Sequence, residues 1–285
     1  MLQPVQGAAM PIERDVAQHY THGALERAIL DALAASGRAA RQLSAADLAE
    51  IDELHLGWLA ATAELARALG LSPGTRVLDV GSGLGGPARY FADAHGCQVT
   101  GIDITPEFVA VAAALTRRCG LSGKVGFLKA SALAIPFGAA SFDAATLIHV
   151  GMNVADKARL FTELRRVLRP GGRLGAYDIV HARPEEPLPY PMPWADGTAT
   201  SFVETAETYR RLLAEAGFTL EQEEDRSELA LRLGREMRER ATQTGRPPLG
   251  LHVVMGEGTQ QRLANAMDAL ERGIIAPVAF IARAE

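Results

Sequence analysis

The stretch VLDVGSGLGGPARYFA, residues 77–92, decides the fold of this chain. An apolar run ends at Asp79 and Val80 and a helical pattern begins at Pro87, so the stretch joins a strand to a helix. Between them four glycines crowd into six positions, namely Gly81, Gly83, Gly85 and Gly86. Glycine permits positive φ and lets the backbone come close to a ligand. The turn therefore predicts a binding site between the first strand and its helix.

Outward from this turn, short β-rich runs alternate with helical patterns. The runs are apolar without strict alternation, which is typical of strands covered on both faces. Strands that alternate with helices predict right-handed crossovers and a parallel, doubly wound α/β sheet. RPGG, residues 169–172, is interpreted as the turn before the fifth strand. The predicted strands occupy residues 75–80, 98–104, 124–130, 142–150 and 172–180, with two more at 218–225 and 276–284.

Two segments flank this core. Residues 12–36 and 44–70 are interpreted as two amphipathic helices, and Ser44 with Asp47 resembles a capping box that opens the second. We expect residues 1–70 to form a helical lid and residues 71–285 the core, with substrate-side insertions at about 182–200 and 227–272. The first insertion holds five of the chain's fifteen prolines. Residues 228–240 read as an ordinary solvated helix with ion pairs at helical spacing.

Composition excludes several classes of protein. The chain has 285 residues, 48% of them hydrophobic and 22% charged, which is ordinary for a globular enzyme. A formal net charge of −5 gives no electrostatic reason to bind nucleic acid or an anionic membrane. Cys97 and Cys119 have no metal-ligand spacing and are interpreted as small buried hydrophobes, so no metal is expected. Without a recognisable signal or an apolar span, the expected location is cytoplasmic.

The glycine turn by itself leaves the ligand open. Gly81, Gly83 and Gly86 satisfy the G-x-G-x-x-G pattern of dinucleotide-binding sites. Asp103, twenty residues beyond Gly83, is placed to accept hydrogen bonds from ribose hydroxyls of any nucleotide. One interpretation is therefore an NAD-dependent oxidoreductase. Asp79 favours a second interpretation, because a carboxylate there repels a pyrophosphate but attracts the ammonium and sulfonium groups of S-adenosylmethionine.

The stretches VLDVGSGLGG, GIDIT, ALAIPFGAASFDAA and RVLRPGG, in this order, resemble class I S-adenosylmethionine-dependent methyltransferases over residues 75–180. Within that family the chain is similar to sarcosine and dimethylglycine, phosphoethanolamine and tocopherol methyltransferases. The resemblance implies a Rossmann-like seven-stranded sheet whose last strand is antiparallel. Where relatives often place an Asp near the adenine amino group, this chain has Ser131. The implied cofactor-binding residues are Asp79, Gly81, Ser82, Gly83, Asp103, Ile104, Ser131, Ala132, Leu133 and His149.

Methyl transfer needs mainly alignment of a nucleophile with the methyl group, and a base only if that nucleophile carries a proton. His149, at the end of the fourth strand, is the candidate base, since its ordinary pKa suits proton transfer near neutrality. The alternative is a histidine that shapes the pocket. Tyr20 is the second candidate catalytic residue, because it resembles a lid tyrosine that closes over the cofactor, and an exposed helix aromatic is its alternative. His55 is interpreted as structural.

The methyl acceptor is expected to be a small molecule accepting at N, O or C. Met152 and Asn153 are candidates for lining its cavity, and Tyr190, Met192 and Trp194 for one wall, unless their segment is a surface connector. An apolar wall of this kind favours an aromatic, prenylated or polyketide-like acceptor. A nucleic-acid methyltransferase is disfavoured because HVGMNV follows the fourth strand instead of an N/D-P-P-aromatic motif. A cofactor-binding module, or the same fold with a different reaction, stays open.

Overall fold

Seven strands form one mixed sheet in the computed structural model, which describes residues 11–21, 23–38, 43–245 and 247–285. The strands are β1 (Arg76–Val80), β2 (Gln98–Asp103), β3 (Val125–Lys129), β4 (Phe142–Ile148), β5 (Leu168–His181), β6 (Phe218–Asp225) and β7 (Ile275–Ala284). Their order is β3-β2-β1-β4-β5-β7-β6. β1 to β5 are parallel, and β7 runs antiparallel to both β5 and β6. The predicted doubly wound, seven-stranded Rossmann-like sheet with an antiparallel last strand is confirmed.

The helices of the described chain, in order, are α1 (Pro11–His19), α2 (Leu25–Ala35), α3 (Ala45–Asp52), α4 (Trp58–Ala68), α5 (Gly86–Ala94), α6 (Pro106–Arg118), α7 (Lys157–Val167), α8 (Ala206–Glu215), α9 (Ser227–Thr244), α10 (Leu251–Met255) and α11 (Thr259–Glu271). Two short 3₁₀ turns, Gly151–Asn153 and Thr198–Thr200, lie between them. None of the helices in the described ranges is long and apolar enough to cross a membrane.

The core lies on both faces of the sheet, as the continuous apolar strands predict. Along β1 the side chains alternate, so that Leu78 and Val80 join the cluster under α7 and α8. Val77 points the other way, into the cluster under α4 and α5. Asp79 shares the parity of Val77 and therefore faces that second side, near the edge where β1 ends.

The amino-terminal region differs from the prediction of two helices, because the described part of residues 1–70 has four, α1 to α4. Residues 1–10, 22 and 39–42 of the predicted lid lie outside the described residues. The first predicted helix breaks after His19, and the amides of Gly23 and Leu25 donate to the carboxylate of Glu107, both at 3.0 Å. α2 therefore starts on a cap supplied by α6, 82 positions later in the sequence. The second predicted helix breaks after Asp52 at a buried turn. The capping box of Ser44 and Asp47 is confirmed.

One further local prediction needs correction. RPGG is not a separate turn, because β5 begins at Leu168 and continues through it with a register irregularity opposite β4. Thr105 stands at the N-cap of α6, but its side chain makes no capping hydrogen bond, and its amide instead donates to Asp103. Cys97 and Cys119 are buried free thiols, as predicted.

Candidate active site

A cavity of about 1910 Å³ opens at the carboxyl ends of β1, β2, β3 and β4. In an open parallel sheet this edge is where ligands bind, since the loops that follow the strands diverge there. α1 and α9 to α11 enclose the other sides. The structure brings together there Tyr20 and all of the predicted cofactor-binding residues except one: Asp79, Gly81, Ser82, Gly83, Asp103, Ile104, Ala132, Leu133 and His149. Ser131 is the exception, because it is not among the described residues that line the cavity.

The glycine turn is shaped by its neighbours on both sides. The amides of Gly81 and Ser82 both donate to the carbonyl of Ile102, at 2.8 and 3.0 Å, which ties the turn to β2. Gly81 has φ +71°, and a Cβ there would lie 2.2 Å from Cγ2 of Val150. No other residue fits both the backbone and the space. The turn is therefore a fixed, side-chain-free wall of the cavity.

Asp103 connects the end of β2 to this turn. Its Oδ2 accepts from the amide of Gly83 at 2.9 Å, and its Oδ1 accepts from the amide of Thr105 at 2.8 Å. Burial raises the pKa of this carboxyl, while the amide bonds oppose the shift. Each carboxylate oxygen has a second acceptor site. Asp103 can therefore hold the turn and still accept hydrogen bonds from vicinal hydroxyls in the cavity.

Asp79 is a buried carboxyl, only 2% exposed, at the mouth of the turn. Its Oδ1 accepts from the hydroxyl of Thr146 at 2.7 Å, whereas Oδ2 has no hydrogen-bond partner in the described part of the chain. Burial raises its pKa from 3.8 to about 7. A carboxyl of this kind gains most from a cation, because a positive group beside Oδ2 both satisfies the oxygen and stabilises the charge.

His149 follows β4 directly instead of ending it, and its φ of +51° is rare for a residue with a side chain. Its amide donates to the carbonyl of Tyr177 at 2.7 Å, which fixes this backbone. The ring packs against Tyr177 and His55, with centroids 5.1 and 5.6 Å away. Its Nε2 is buried, and no described residue bonds to it. Burial, with the nearby His55, holds the pKa well below 6.5, so the imidazole is neutral.

His55 belongs to a buried trio that the sequence did not reveal. Its Nε2 lies 2.7 Å from a carboxylate oxygen of Glu53, and the hydroxyl of Thr62 donates to the same oxygen at 2.6 Å. The ring Nδ1 lies 3.2 Å from the carbonyl of Leu56. These contacts fix the turn between α3 and α4 and press the ring of His55 against that of His149.

Tyr20 closes the cavity from the amino-terminal side. It comes one residue after α1, and its hydroxyl donates to Oδ1 of Asn153 at 3.1 Å. The side-chain amide of Asn153 (Nδ2) in turn donates to the backbone carbonyls of Trp194 and Thr200, at 2.9 and 3.0 Å. Burial raises the pKa of Tyr20, so its phenol is neutral. Asn153 therefore links the amino-terminal helices to the insertion at residues 182–200.

The second insertion lines a large part of the cavity with both apolar and charged side chains, Arg238 and Arg262 among the latter. Residues 228–240 show the predicted ion pair, Arg232 with Glu236 at 3.0 Å, but this helix is not merely solvated. The cavity-lining apolar side chains of α9 to α11 include Leu233, Met237, Leu251, Met255, Leu263 and Met267. Of the three predicted wall residues in the other insertion, Trp194 lines the cavity. Met192 is fully buried in the cluster behind it, and Tyr190 packs against that cluster.

The strand order, the antiparallel β7 and the ligand-facing turn after β1 define a class I methyltransferase fold. A family model described as a methyltransferase domain matches residues 78–176, which run from β1 to the middle of β5. The matched segment contains the glycine turn and the predicted base, His149. Within the described ranges, no group of three or more His, Cys, Asp or Glu side chains could hold a metal ion.

Similar proteins agree with this assignment. Sterol 24-C-methyltransferase ERG6B of Gibberella zeae is 40% identical over 114 residues, which cover 40% of this chain and 30% of that one. The cyclase SpnF, a solved structure, is 27% identical with a TM-score of 0.59, covering 78% of this chain and 79% of SpnF. Geranyl diphosphate C-methyltransferase from Streptomyces coelicolor A3(2) shares the fold at 18% identity, with a TM-score of 0.72 over 98% of this chain and 100% of the other. The chain spans between 30 and 59% of the length of the curated relatives.

Proposed function

We propose that this protein is an S-adenosylmethionine-dependent methyltransferase that moves a methyl group to N, O or C of a small-molecule acceptor. The observation that carries the proposal is the buried Asp79, which lines the cavity beside the glycine turn and whose Oδ2 has no partner in the described chain. A cationic cofactor completes this site, and a pyrophosphate does not. The methyltransferase family match over residues 78–176 supports the same cofactor.

The proposed cofactor site follows the edge of the sheet. The backbone of Gly81, Ser82 and Gly83 holds the methionine part, with Asp79 toward its positive groups. Asp103 binds the ribose hydroxyls, and Ile104, Ala132 and Leu133 pack on the adenine. When bound, S-adenosylmethionine supplies a methyl group already activated by a sulfonium. The protein's contribution is then to hold the acceptor atom close to that carbon and in line with it.

We assign the role of base to His149. Its neutral imidazole has a buried Nε2 that no described residue occupies, so it can accept a proton from a hydroxyl or ammonium nucleophile. The left-handed backbone and the contacts with Tyr177 and His55 hold the ring in one orientation. Tyr20, a neutral phenol bonded to Asn153, closes the lid over the same space. It positions the ligands and does not exchange a proton.

The shape of the cavity supports a bulky apolar acceptor. Ligand pockets commonly hold roughly 300–1,000 Å³, and this one holds about 1910 Å³, enough for a cofactor and a second large molecule. Trp194 and the methionines of α9 to α11 are among the residues that line it. Methionine adapts to irregular apolar shapes. We therefore propose an aromatic, prenylated or polyketide-like acceptor.

A different reaction on the same fold is the second candidate. It is motivated by SpnF, which is a cyclase by name and is 27% identical to this chain. The two candidate functions give His149 different roles. In methyl transfer, a buried neutral histidine beside the glycine turn removes the proton of the nucleophile. They are separated by whether a methyl group leaves the cofactor. The oxidoreductase alternative gains no support from the site, since Asp79 opposes a pyrophosphate there.

Titration calorimetry with S-adenosylhomocysteine, S-adenosylmethionine and NAD tests the proposal. We expect binding of the first two and none of NAD. Asp103→Ala should abolish binding, whereas Asp93→Asn, an exposed carboxylate on α5, should leave it unchanged. Absence of heat with both sulfur compounds refutes the cofactor assignment. Incubation with methyl-labelled cofactor and a panel of apolar hydroxylated acceptors then separates transfer from a reaction that consumes no methyl group.

His149→Ala tests the base. Loss of a general base costs about 10²- to 10⁴-fold in kcat, and we expect the affinity for S-adenosylhomocysteine to change by less than about threefold. His95→Ala is the matched control, because His95 follows α5 and does not line the cavity among the described residues. Equal turnover in His149→Ala and the unmodified protein would show that His149 only shapes the pocket.

A further inference from the structure

The part of the cavity next to Asp103 is suited to bind a nucleobase. The carbonyl of Asp103 accepts from the amide of Ala130, so the loop after β3 begins next to the ribose-binding carboxylate. Ile104, Ala132 and Leu133 give this end apolar walls on which a flat ring can pack. A purine also needs partners for its polar edge, and apolar walls cannot supply them.

A carboxylate from α1 reaches this polar edge. Glu13 lines the cavity, and its Oε1 accepts a hydrogen bond from the hydroxyl of Ser131. The same hydroxyl accepts from the amide of Leu133 at 3.0 Å. The single proton of the Ser131 hydroxyl is therefore donated to Glu13, and Ser131 is not among the described residues that line the cavity. Ser131 holds a carboxylate that comes from 118 positions earlier in the sequence.

Resting on the proposed function, we propose that Glu13 is the adenine-selecting residue of this protein. Its carboxylate accepts a hydrogen bond from the exocyclic amino group at position 6 of the base. A carboxylate offers about four acceptor sites, so the bond from Ser131 leaves room for this one. A base with a carbonyl at position 6 meets the same carboxylate as a repulsive pair of acceptors. Glu13 therefore both attracts adenine and rejects 6-oxopurines.

This assignment makes α1 a part of the cofactor site and not only a cover. The helix carries Glu13 near one end, over the base. At the other end His19 lies 3.3 Å from the carbonyl of Pro193 and 3.5 Å from Asp196, both on the acceptor-side insertion. One short helix therefore touches the base-binding and acceptor-binding parts of the cavity.

The test compares binding of S-adenosylhomocysteine with that of S-inosylhomocysteine, its 6-oxo analogue, by calorimetry. We expect the unmodified protein to prefer the adenine compound by at least about tenfold, as a lost charge-assisted hydrogen bond implies. In Glu13→Gln the preference should fall to within about threefold, because the side-chain amide can donate to a 6-oxo group as readily as it accepts from an amino group. Ser131→Ala, which releases Glu13, should lower the preference by less.

Glu26→Gln is the matched control, since Glu26 is an exposed glutamate in the first turn of α2. It should keep the full preference. The ratio of two affinities within one variant is insensitive to a general loss of folded protein. An unchanged ratio in Glu13→Gln overturns the inference and leaves the proposed cofactor in place, whether or not both affinities fall. Failure of the unmodified protein to bind either compound refutes the proposed function itself.

Discussion

Replacing Asp79 by asparagine should stabilise the ligand-free protein at neutral pH while it weakens cofactor binding. The substitution removes a buried charge and keeps the shape of the side chain. Its Oδ1 can still accept the hydroxyl of Thr146, which lies 2.7 Å away. The ionised carboxyl lowers the free energy of unfolding of the ligand-free protein, because burial makes the charged form unfavourable. We expect the cofactor's positive groups to offset that cost on binding.

The magnitude follows from the pKa. Folding raises the pKa of Asp79 from 3.8 to about 7. One factor of ten in proton affinity is about 1.4 kcal/mol, so the ionised carboxyl destabilises the folded state by about 4 kcal/mol. Between these two pKa values the folded protein holds a proton that the unfolded chain has released. The free energy of unfolding contributed by Asp79 therefore falls as pH rises from about 4 to 7 and is constant above 7.

Urea unfolding at about pH 5, 6, 7 and 8 measures this contribution as a difference between Asp79→Asn and the unmodified protein. Asp52 and Asp178, whose pKa values burial raises to about 6, titrate in both proteins and cancel in the difference. The side-chain amide that the substitution introduces lacks a second partner. This lowers the free energy of unfolding of the variant by about 1–3 kcal/mol, and the loss does not vary with pH. The expected signature is therefore the slope.

The variant should gain about 1.4 kcal/mol per pH unit relative to the unmodified protein below pH 7, and nothing further above it. Its affinity for S-adenosylhomocysteine should fall at pH 8, where the unmodified carboxyl is charged. Asp93→Asn should show neither effect. A stability difference that is the same at every pH would refute the reasoning, because it would mean that Asp79 is not a buried, destabilised acid.

Two further substitutions test the glycine turn and the buried ion pair beside it. Gly81→Ala should destabilise the protein by more than about 2 kcal/mol and abolish cofactor binding, since the new methyl would sit 2.2 Å from Val150 at φ +71°. Gly74→Ala, at φ +84° with open space around it, isolates the strain alone and should cost less in the same urea assay. Arg89→Met should cost about 3–5 kcal/mol, because it leaves the carboxylate of Asp52, 2.5 Å from the guanidinium, buried and unpaired. Asp52→Asn in the same chain should recover part of that loss, and purely additive effects would argue against the pair.

Features that depend on neighbours in the sequence were predictable. The parallel strands follow from apolar runs without alternation, and the glycine turn follows from a local conformational requirement. Asp79 and Asp103 could be placed because each lies near the carboxyl end of a strand, at a known edge of such a sheet. The capping box at Ser44 is a contact three residues long, and it too was found.

Features that depend on distant contacts were missed. The sequence predicts one helix across residues 12–36, but Glu107 of α6 caps a new helix at Leu25, and no local pattern announces this. The separation of Glu13 from Ser131 is 118 positions, so only the folded chain shows them together. Two acidic or hydroxyl side chains without fixed spacing carry no periodic signal. The one available hint was the absence of an acid at position 131 itself.

Buried polar atoms without hydrogen-bond partners are the reason for placing the candidate active site in this cavity and not elsewhere on the sheet. A buried polar group without a hydrogen bond costs about 1–3 kcal/mol, so folded proteins keep few of them. Here Oδ2 of Asp79, Oγ of Ser82 and Nε2 of His149 are all of this kind within the described chain. All three residues line one cavity at the carboxyl ends of β1 and β4, which are adjacent strands. Packing alone gives no reason for an acceptor, a hydroxyl and an imidazole to be left unsatisfied together. We expect a ligand with a positive group, together with a nucleophile that gives up a proton, to satisfy them.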